Sequence, residues 1–428
     1  MRLEIGSIFI RDIQFAAKTE VKNGVLYVNK QEIAAAAGDD DRIKSVEVFL
    51  ARPGESVRIM PVKDVVEPRV KVEGSGGVFP GFTAPVDQVG EGRTNVLKGA
   101  AVVTTGKIVG FQEGIIDMSG PGAEYTPFSK TNNIVVKVEP VDGVKQHDHE
   151  VVVRLAGLRA ANYLGLAGKD ARADAVRAYE TKPLLEQAAQ YPDLPKVVYV
   201  YMLQTQGLLH NTFYYGVDVR QIVPTFMYPT EVMDGAIISG NCVSACDKNP
   251  TYVHLNSPVI EDLYAEHGKT INFLGCVITN ENVTLADKER SSNMTAKLVG
   301  FLGADAVIIS EEGFGNPDAD LVMNCNKIEK QGIKTVLITD EYAGQDGASQ
   351  SLADSTPLGN ACVTAGNANE VVTLPPMDAV IGYPETAHVI AGGWQGSLAP
   401  DGSITAEIQV ITGATNELGY GYLSAKAI

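Results

Sequence analysis

The pattern of apolar and polar positions changes about one third of the way along the chain. Before about residue 145, short stretches rich in β-branched residues alternate in part between apolar and polar positions, which is typical of half-buried strands. The clearest of these stretches are residues 3–10, 24–29, 45–50 and 56–62. Two segments rich in glycine and proline, 74–82 and 119–129, predict loops. The first third of the chain is therefore predicted to be β-rich.

Helical spacing begins at residue 146, and strands and helices alternate further on. Valine, leucine and alanine recur at helical spacing over 146–165, and buried strands are predicted at 197–203 and 222–228. After residue 255 the chain is predicted to run strand, helix, strand, helix, strand, at 271–279, 284–302, 305–310, 318–331 and 334–340. Thr284 is the expected N-cap of the first of these helices. This order predicts parallel strands joined by right-handed crossovers.

The sequence thus predicts an α/β fold in which a β-rich N-terminal region precedes a Rossmann-like or flavodoxin-like parallel sheet. The predicted segments are a β-rich domain at 1–145, an α/β segment at 146–241 and an α/β domain at 242–428. The boundary after residue 241 depends on a processing site that is described below.

Polar side chains follow each predicted C-terminal strand, at the edge where open parallel sheets bind ligands. The acids among them are Glu281, Glu311, Glu312, Asp340 and Glu341. They are candidates to steer an ammonium group or to move protons, and solvent exposure or helix capping is the simpler interpretation for most of them.

A substrate carboxylate would need a positive partner. Lys288 and Arg290 lie in the predicted helix after the first strand of this series, and a solvated helix face is the favoured interpretation of both.

Composition and charge exclude several classes of protein. The net charge, 35 − 52 = −17, repels phosphate backbones, so nucleic-acid binding is not expected. The sequence has no apolar run of membrane-spanning length, and its first residues do not form a signal peptide. Five cysteines in so long a chain argue against a disulfide framework. We expect a cytoplasmic protein without a metal cofactor.

The segment around Asn241 and Cys242 allows four interpretations. Cys242 and Cys246 are one residue too far apart for a redox dithiol. Zinc bound by these two thiols and His254 lacks a fourth ligand at a familiar spacing. Buried thiols in a turn are the simplest interpretation.

The fourth interpretation is self-processing, in which the Cys242 thiol attacks the preceding carbonyl and the resulting thioester is eliminated. Hydrolysis of the remaining dehydroalanine, through its imine tautomer, then leaves a pyruvoyl group. The spacing alone does not decide among the four.

The histidines carry little further information. His147 and His149 lie at a predicted helix start and are expected at the surface. His254 follows Cys242 closely enough in sequence to be a candidate base for the elimination or for imine chemistry.

Long, uncommon sequence blocks resemble the precursor of the pyruvoyl-containing subunits of glycine reductase component B. The sarcosine and betaine reductase counterparts belong to the same family, and the proline reductase precursor is a more distant relative. The resemblance covers the whole chain, and its blocks include PTEVMDGAIISG at 229–240, GNCVSACDKNPTYVH at 240–254, SEEGFGNPDADL at 310–321 and TDEYAGQDGASQSLAD at 339–354.

The resemblance implies a cut between Asn241 and Cys242. Residues 1–241 would form the β subunit, and the remaining 428 − 241 = 187 residues would form the α subunit, with Cys242 converted to its pyruvoyl cap. The family's pyruvoyl group binds the amine of glycine as a Schiff base. A selenocysteine-containing γ subunit then cleaves the C–N bond reductively. The other complex components, A and C, lead to acetyl phosphate in this amino-acid fermentation.

Two questions stay open at this point. The substrate is glycine by resemblance, with sarcosine or betaine as alternatives. In a different class, the chain is a non-catalytic scaffold or binding subunit in which Cys242 remains an uncleaved thiol.

Overall fold

The computed structural model describes residues 1–426 apart from 108–109, 111–112, 207–210, 241–243 and 419–423, and it describes 424–426 by their backbone. The α-helices are α1 Lys30–Ala37, α2 Gln146–Gly165, α3 Leu184–Gln190, α4 Pro229–Met233, α5 Thr251–Leu255, α6 Pro258–Glu266, α7 Leu285–Leu302 and α8 Asn316–Glu329. Short 3₁₀ helices span Pro121–Tyr125, Pro127–Lys130, Leu166–Gly168, Val219–Gln221, Pro384–His388 and Ile408–Val410.

The strands of the first half of the chain form mostly antiparallel pairs. They are β1 Arg2–Phe9, β2 Asp12–Phe15, β3 Glu20–Lys22, β4 Val25–Val28, β5 Ile43–Ala51, β6 Val57–Val66, β7 Arg69–Glu73, β8 Gly92–Lys98, β9 Ala100–Gly106, β10 Gly114–Asp117, β11 Asn132–Pro140 and β12 Ala175–Glu180.

The strands of the second half include the central parallel set. They are β13 Lys196–Leu203, β14 Phe213–Tyr214, β15 Val217–Asp218, β16 Thr225–Met227, β17 Ile237–Ile238, β18 Asn272–Asn280, β19 Ala306–Ser310, β20 Lys334–Glu341, β21 Cys362–Asn367, β22 Val371–Leu374, β23 Ala379–Gly382, β24 Ile404–Glu407 and β25 Ser424–Lys426.

Two sheets dominate the N-terminal part. One has the order β12-β1-β8-β7, and the other has the order β10-β6-β9-β11-β5 with β23 paired to β6. Smaller sheets are β2-β4-β3, β15-β14-β17 and β22-β24. Together with the helices they make a mixed α/β protein, as predicted.

The largest sheet has the order β16-β18-β13-β19-β20-β21-β25. Its strands β18, β13, β19, β20 and β21 are parallel neighbours, and the two outer strands pair antiparallel. In chain order these five parallel strands lie 2-1-3-4-5, so the direction of winding changes between β13 and β19. Ligands of open parallel sheets bind at such a change, outside the carboxyl ends of the strands.

Both faces of this sheet are covered, which explains the continuous apolar runs in its strands. Alternate residues of β13 point to opposite faces. Val198 and Val200 pack with residues of α7 and α8, whereas Tyr199 and Tyr201 pack in a cluster that includes α5, α6 and the N-terminal sheets. All nine residues of β18 are buried.

Most predicted elements are confirmed, and the differences have local causes. Thr284 caps α7 as predicted, because its hydroxyl oxygen accepts the Asp287 amide. The strand predicted at 222–228 shrinks to β16, because Pro224 supplies no amide hydrogen and a 3₁₀ turn precedes it. The loop predicted at 119–129 contains two 3₁₀ helices, each with proline in its first turn. His149 is buried on α2, whereas its neighbour His147 is exposed as predicted.

The sheets are continuous across residue 241. Strand β13, which precedes it, pairs with β18 and β19, which follow it. The predicted division at 145 and 241 stays a prediction.

Candidate active site at the carboxyl edge of the parallel sheet

Asn241 and Cys242 lie outside the described residues, but both flanks of this position are described and held by other segments. Upstream, the Ser239 amide donates to Thr251 Oγ1 at 3.2 Å, and Arg154 Nε donates to the Ser239 carbonyl at 3.1 Å. Thr251 Oγ1 in turn donates to Asp64 Oδ2 at 2.6 Å. The chain entering residue 241 is therefore fixed by α2, α5 and β6.

The downstream flank is held by the segment that precedes residue 419. The Gly413 amide donates to the Ala245 carbonyl at 2.8 Å, and the Thr415 amide donates to the Cys246 carbonyl at 3.1 Å. Asn416 Nδ2 donates to the Lys248 carbonyl at 2.9 Å. Ala245 and Cys246 are buried.

The acids predicted at the strand ends are buried, so the expectation of solvated side chains was wrong. Glu281, Glu311, Glu312, Asp340 and Glu341 are at most 5% exposed. The sequence did not reveal this because the covering residues, such as Thr415 and Glu417, come from a distant segment.

Most of these acids form one connected group, which we call the acid cluster and define as Glu281, Glu311, Glu312, Asp340, Asp247 and Glu417. The Glu312 amide donates to Glu281 Oε1 at 2.7 Å, and the Gly313 amide donates to Glu417 Oε1 at 2.9 Å. Thr339 Oγ1 donates to Glu311 Oε1. Glu341 is not part of the acid cluster. Its carboxylate accepts hydrogen bonds from Ser351 Oγ at 3.0 Å and from Thr364 Oγ1 at 2.6 Å.

Burial changes the titration of these carboxyls. Desolvation raises the pKa of Glu281 and of Glu311 well above the usual range, and neighbouring carboxylates raise both further. Burial first and neighbouring acids second also raise the pKa of Asp340 and Glu417. Burial raises the pKa of Asp247 to about 7. Asp247 is therefore able to exchange a proton near neutral pH.

His254 lies beside the acid cluster and is fully buried. Its Nδ1 is 2.5 Å from the Tyr201 hydroxyl, and its Nε2 is 3.7 Å from Glu312 Oε1. The Nε2 atom has no hydrogen-bond partner among the described residues. Glu312 is fixed on its other side, because Oε2 accepts the Gln204 amide at 3.0 Å and Thr212 Oγ1 at 2.8 Å.

The two cations considered for a substrate carboxylate differ in environment. Arg290 is exposed and pairs with Asp287 at 2.5 Å, so the interpretation as a solvated helix face is confirmed for it. For Lys288 that interpretation was wrong, because this side chain is buried, pairs with Asp320 and donates to the Asn316 carbonyl at 2.7 Å.

One member of the acid cluster, Glu417, lines an apolar cavity of about 530 Å³. Its wall is formed by residues of α6 and by side chains of β19 and β20, including Ile308 and Ile338.

Sequence reasoning missed Asp247 and Glu417. Asp247 follows Cys246 inside the quoted block around Cys242, so proximity in sequence was an available signal. Glu417 lies in an irregular polar stretch after the last named helix, and nothing in its local sequence predicts contact with the strand ends.

No helix among the described residues is both long and apolar enough to cross a membrane. No solved structure matches the chain.

The similarity to known proteins extends over the whole chain. The family model of glycine/sarcosine/betaine reductase component B subunits matches residues 1–426. The glycine reductase complex component B subunits alpha and beta of Acetoanaerobium sticklandii are 68% identical over 428 residues, which is 100% of both chains. The same-named protein of Peptoclostridium acidaminophilum is 68% identical over 426 residues, and the sarcosine reductase complex component B subunit alpha of that organism is 61% identical over 426 residues, each covering 100% of both chains. The chain therefore belongs to the family of glycine, sarcosine and betaine reductase component B subunits, and it is an oxidoreductase component.

Proposed function

We propose that the chain is a proprotein that is cut between Asn241 and Cys242, and that residue 242 then carries a pyruvoyl group that serves a glycine reductase. Two proteins named for glycine reductase are 68% identical to the chain, and one named for sarcosine reductase is 61% identical. This difference favours glycine over sarcosine as the substrate.

One structural observation carries the proposal. The flank that follows residue 243 delivers Cys246 and Asp247 to the carboxyl end of β20, where their ligand atoms lie within 4.8 Å of those of Asp340. A carbonyl formed at residue 242 would therefore be only a few residues of chain from a cluster of buried acids at the ligand-binding edge of the sheet.

The processing step uses atoms of the chain itself. The Cys242 thiol adds to the carbonyl carbon of Asn241, and the C–N bond breaks to give a thioester and a free amine. Loss of the α-proton of residue 242 breaks its C–S bond and expels the thiocarboxylate. The dehydroalanine left behind tautomerises to an imine, and water hydrolyses it to the pyruvoyl group and ammonia. Anchors at Ser239 and Cys246 hold both sides of the reacting segment.

The pyruvoyl group would supply an electrophilic carbonyl that condenses with an amine and withdraws electron density from its nitrogen. An ammonium substrate must lose a proton before its nitrogen can add. Glu281 and Glu311 each have one carboxylate oxygen without a partner among the described residues, and burial raises the pKa of both. We assign to these acids and Glu312 the binding of the ammonium group and the uptake of its proton.

We assign His254 a supporting part in the same proton transfers. Its Nε2 atom is unpartnered among the described residues and faces Glu312, while Tyr201 fixes the other ring nitrogen. Arg290 is exposed and pairs with Asp287, so it is left out of this assignment.

The reductive step needs electrons that this chain does not supply. In the proposal, a selenolate on a separate γ subunit attacks the α-carbon of the bound amine and displaces its nitrogen. Components A and C of the complex then accept the carboxymethyl group, and a thiol reductant supplies the two electrons that convert it to an acetyl group. Inorganic phosphate takes up the acetyl group as acetyl phosphate, and water releases the nitrogen from residue 242 as ammonia.

Intact-mass analysis of active protein tests the cut. We expect two fragments, of 241 and 187 residues, and labelling of the smaller one by a hydrazine. Cys242→Ala should stay a single unlabelled chain, whereas the matched variant Cys325→Ala, which changes a buried thiol on α8 and keeps Cys242, should still be cut. A single intact chain in an active complex would overturn the proposal and favour a scaffold subunit with an uncleaved Cys242.

The substrate is tested separately with the reconstituted complex. Release of nitrogen should be fastest from glycine when glycine, sarcosine and betaine are compared at equal concentration. Faster release from either methylated amine would assign the chain to that branch of the family.

A further inference from the structure

The thiol of Cys246 lies close to two carboxylates of the acid cluster, those of Asp247 and Asp340. The ligand atoms of Cys246, Asp247 and Asp340 all lie within 4.8 Å of one another, and the three side chains are at most 1% exposed. Two of them come from the turn after residue 243, and Asp340 comes from the carboxyl end of β20. Two distant segments therefore present a compact donor set.

Within the described part of the chain, each of the two carboxylates has one oxygen that takes part in no hydrogen bond. Asp247 Oδ2 accepts the Tyr342 hydroxyl at 3.0 Å, and Asp340 Oδ2 accepts Thr415 Oγ1 at 3.2 Å. Asp247 Oδ1 and Asp340 Oδ1 have no partner among the described residues. A buried carboxylate oxygen without a partner is costly, because it has lost its hydration without replacement.

The residues around Asp247 and Asp340 add further negative charge and do not compensate the charge of these two carboxylates. Glu311 and Glu417 are buried beside these two aspartates, and no lysine or arginine of the described residues forms an ion pair with either aspartate. The only relief open to such a group is a proton or a bound cation.

We propose that Cys246, Asp247 and Asp340 bind one divalent transition-metal ion of the zinc or iron(II) type. A cysteine thiolate with two carboxylates suits such ions, since Zn²⁺ accepts both sulfur and oxygen ligands. Magnesium and calcium prefer sites made of oxygen alone. Three protein ligands leave a fourth position open, as in zinc sites that bind water or substrate.

This donor set differs from the zinc site that the sequence suggested, which combined Cys242, Cys246 and His254. The Nδ1 atom of His254 is engaged with the Tyr201 hydroxyl. The ion would instead connect the turn at 246–247 to the end of β20. It would thereby hold the segment that follows residue 243 in place.

Metal binding is measured on the full chain, independently of processing or turnover. The protein is stripped with a chelator, dialysed, and titrated with Zn²⁺, Co²⁺ or Mg²⁺. We expect one Zn²⁺ or Co²⁺ per chain by elemental analysis, a thiolate-to-Co²⁺ charge-transfer band, and no comparable binding of Mg²⁺. A chain that binds no ion, or a Co²⁺ complex without the thiolate band, would overturn the assignment.

Variants identify the ligands. Cys246→Ser and Asp340→Asn should weaken binding by at least about 100-fold, more than the loss typical of residues that only support a ligand. Cys325→Ala is the matched control, because this buried thiol lies on α8 beside Thr335, and it should bind the ion as the parent does. Cys242→Ala should also bind the ion. Loss of binding in Cys242→Ala, or unchanged binding in Cys246→Ser and Asp340→Asn, would refute the proposed ligands, and titration of the parent chain decides the matter if a ligand variant does not fold.

Discussion

At the scale of single residues, burial controls the chemistry of the candidate site. Glu281 follows the last residue of β18 and has no exposed surface, and within the described part of the chain its carboxylate accepts a hydrogen bond only from the Glu312 amide. Desolvation therefore raises its pKa well above the usual range, and the native protein holds its proton more tightly than the unfolded chain does.

Glu281→Gln should change how stability depends on pH. A carboxyl whose pKa is raised by folding stabilises the native state fully below the unfolded pKa, and this contribution is lost as pH rises through the folded pKa. The glutamine oxygen still accepts the Glu312 amide but does not ionise. The variant should be more stable than the parent above neutral pH, by roughly 1–3 kcal/mol, with little difference near pH 4.

Urea unfolding of both chains across this pH range measures the effect. Glu370→Gln, an exposed acid, serves as the control and should follow the parent at every pH. Parallel pH curves for the parent and Glu281→Gln would contradict a raised pKa at this position.

His254→Ala should slow the chemistry without removing the fold. A positioned proton-transfer group typically contributes about 100-fold or more to a rate. We expect a decrease of about that size in the rate of self-cleavage or in the release of amine nitrogen, measured separately by gel and by ammonia assay. His388→Ala, which changes an exposed histidine, should leave both rates unchanged. Normal cleavage together with normal turnover would remove His254 from the mechanism.

At the scale of elements, sequence patterns correctly predicted those features that depend only on residues close together in the sequence. The hydroxyl of Thr284 begins α7, and the apolar runs of β18, β19 and β20 require burial on both faces; both features are visible within a few residues. The burial of Glu311 and Asp340 was not predictable in this way. Their covering residues lie far along the chain, and local polarity is equally consistent with a solvated turn.

Lys288 and Arg290 on helix α7 also show that burial cannot be predicted from the local sequence. Both are cations in the first two turns of α7, yet Lys288 is 4% exposed and reaches Asp320 on α8, whereas the Arg290 side chain is 61% exposed. Only the packing of α7 against α8 separates them.

Lys288→Met should therefore destabilise the protein far more than Arg290→Met. Removing Lys288 leaves Asp320 buried without its ion-pair partner, which typically costs about 3–5 kcal/mol. Removing Arg290 breaks an exposed pair worth about 1 kcal/mol or less. The free energies of unfolding in urea give the comparison, and equal losses for the two variants would contradict the buried pair.

At the scale of the whole molecule, the predicted cut divides the chain but not the sheets. Strand β13 lies between β18 and β19, and β23 pairs with β6, so each predicted fragment supplies strands to a sheet that the other completes. Each fragment alone would expose long rows of unpaired backbone groups and apolar side chains.

The two fragments should therefore stay together after processing. We expect cleaved protein to elute from a sizing column as one species that contains both fragments, and to separate only in denaturant. Fragments 1–241 and 242–428, expressed apart, should be aggregated or unfolded, and should regain native circular dichroism when refolded together.

A substitution in β13 tests whether this strand holds the two fragments together. Val200 is fully buried in β13 and packs against the helix layer of α7 and α8, so Val200→Asp places a charge where β13 must fit between its neighbours. This variant should abolish reassembly of the separated fragments, whereas Glu186→Gln, an exposed change on α3, should not. Fragments that elute separately after cutting, under native conditions, would show that β13 does not hold them as the sheet order requires.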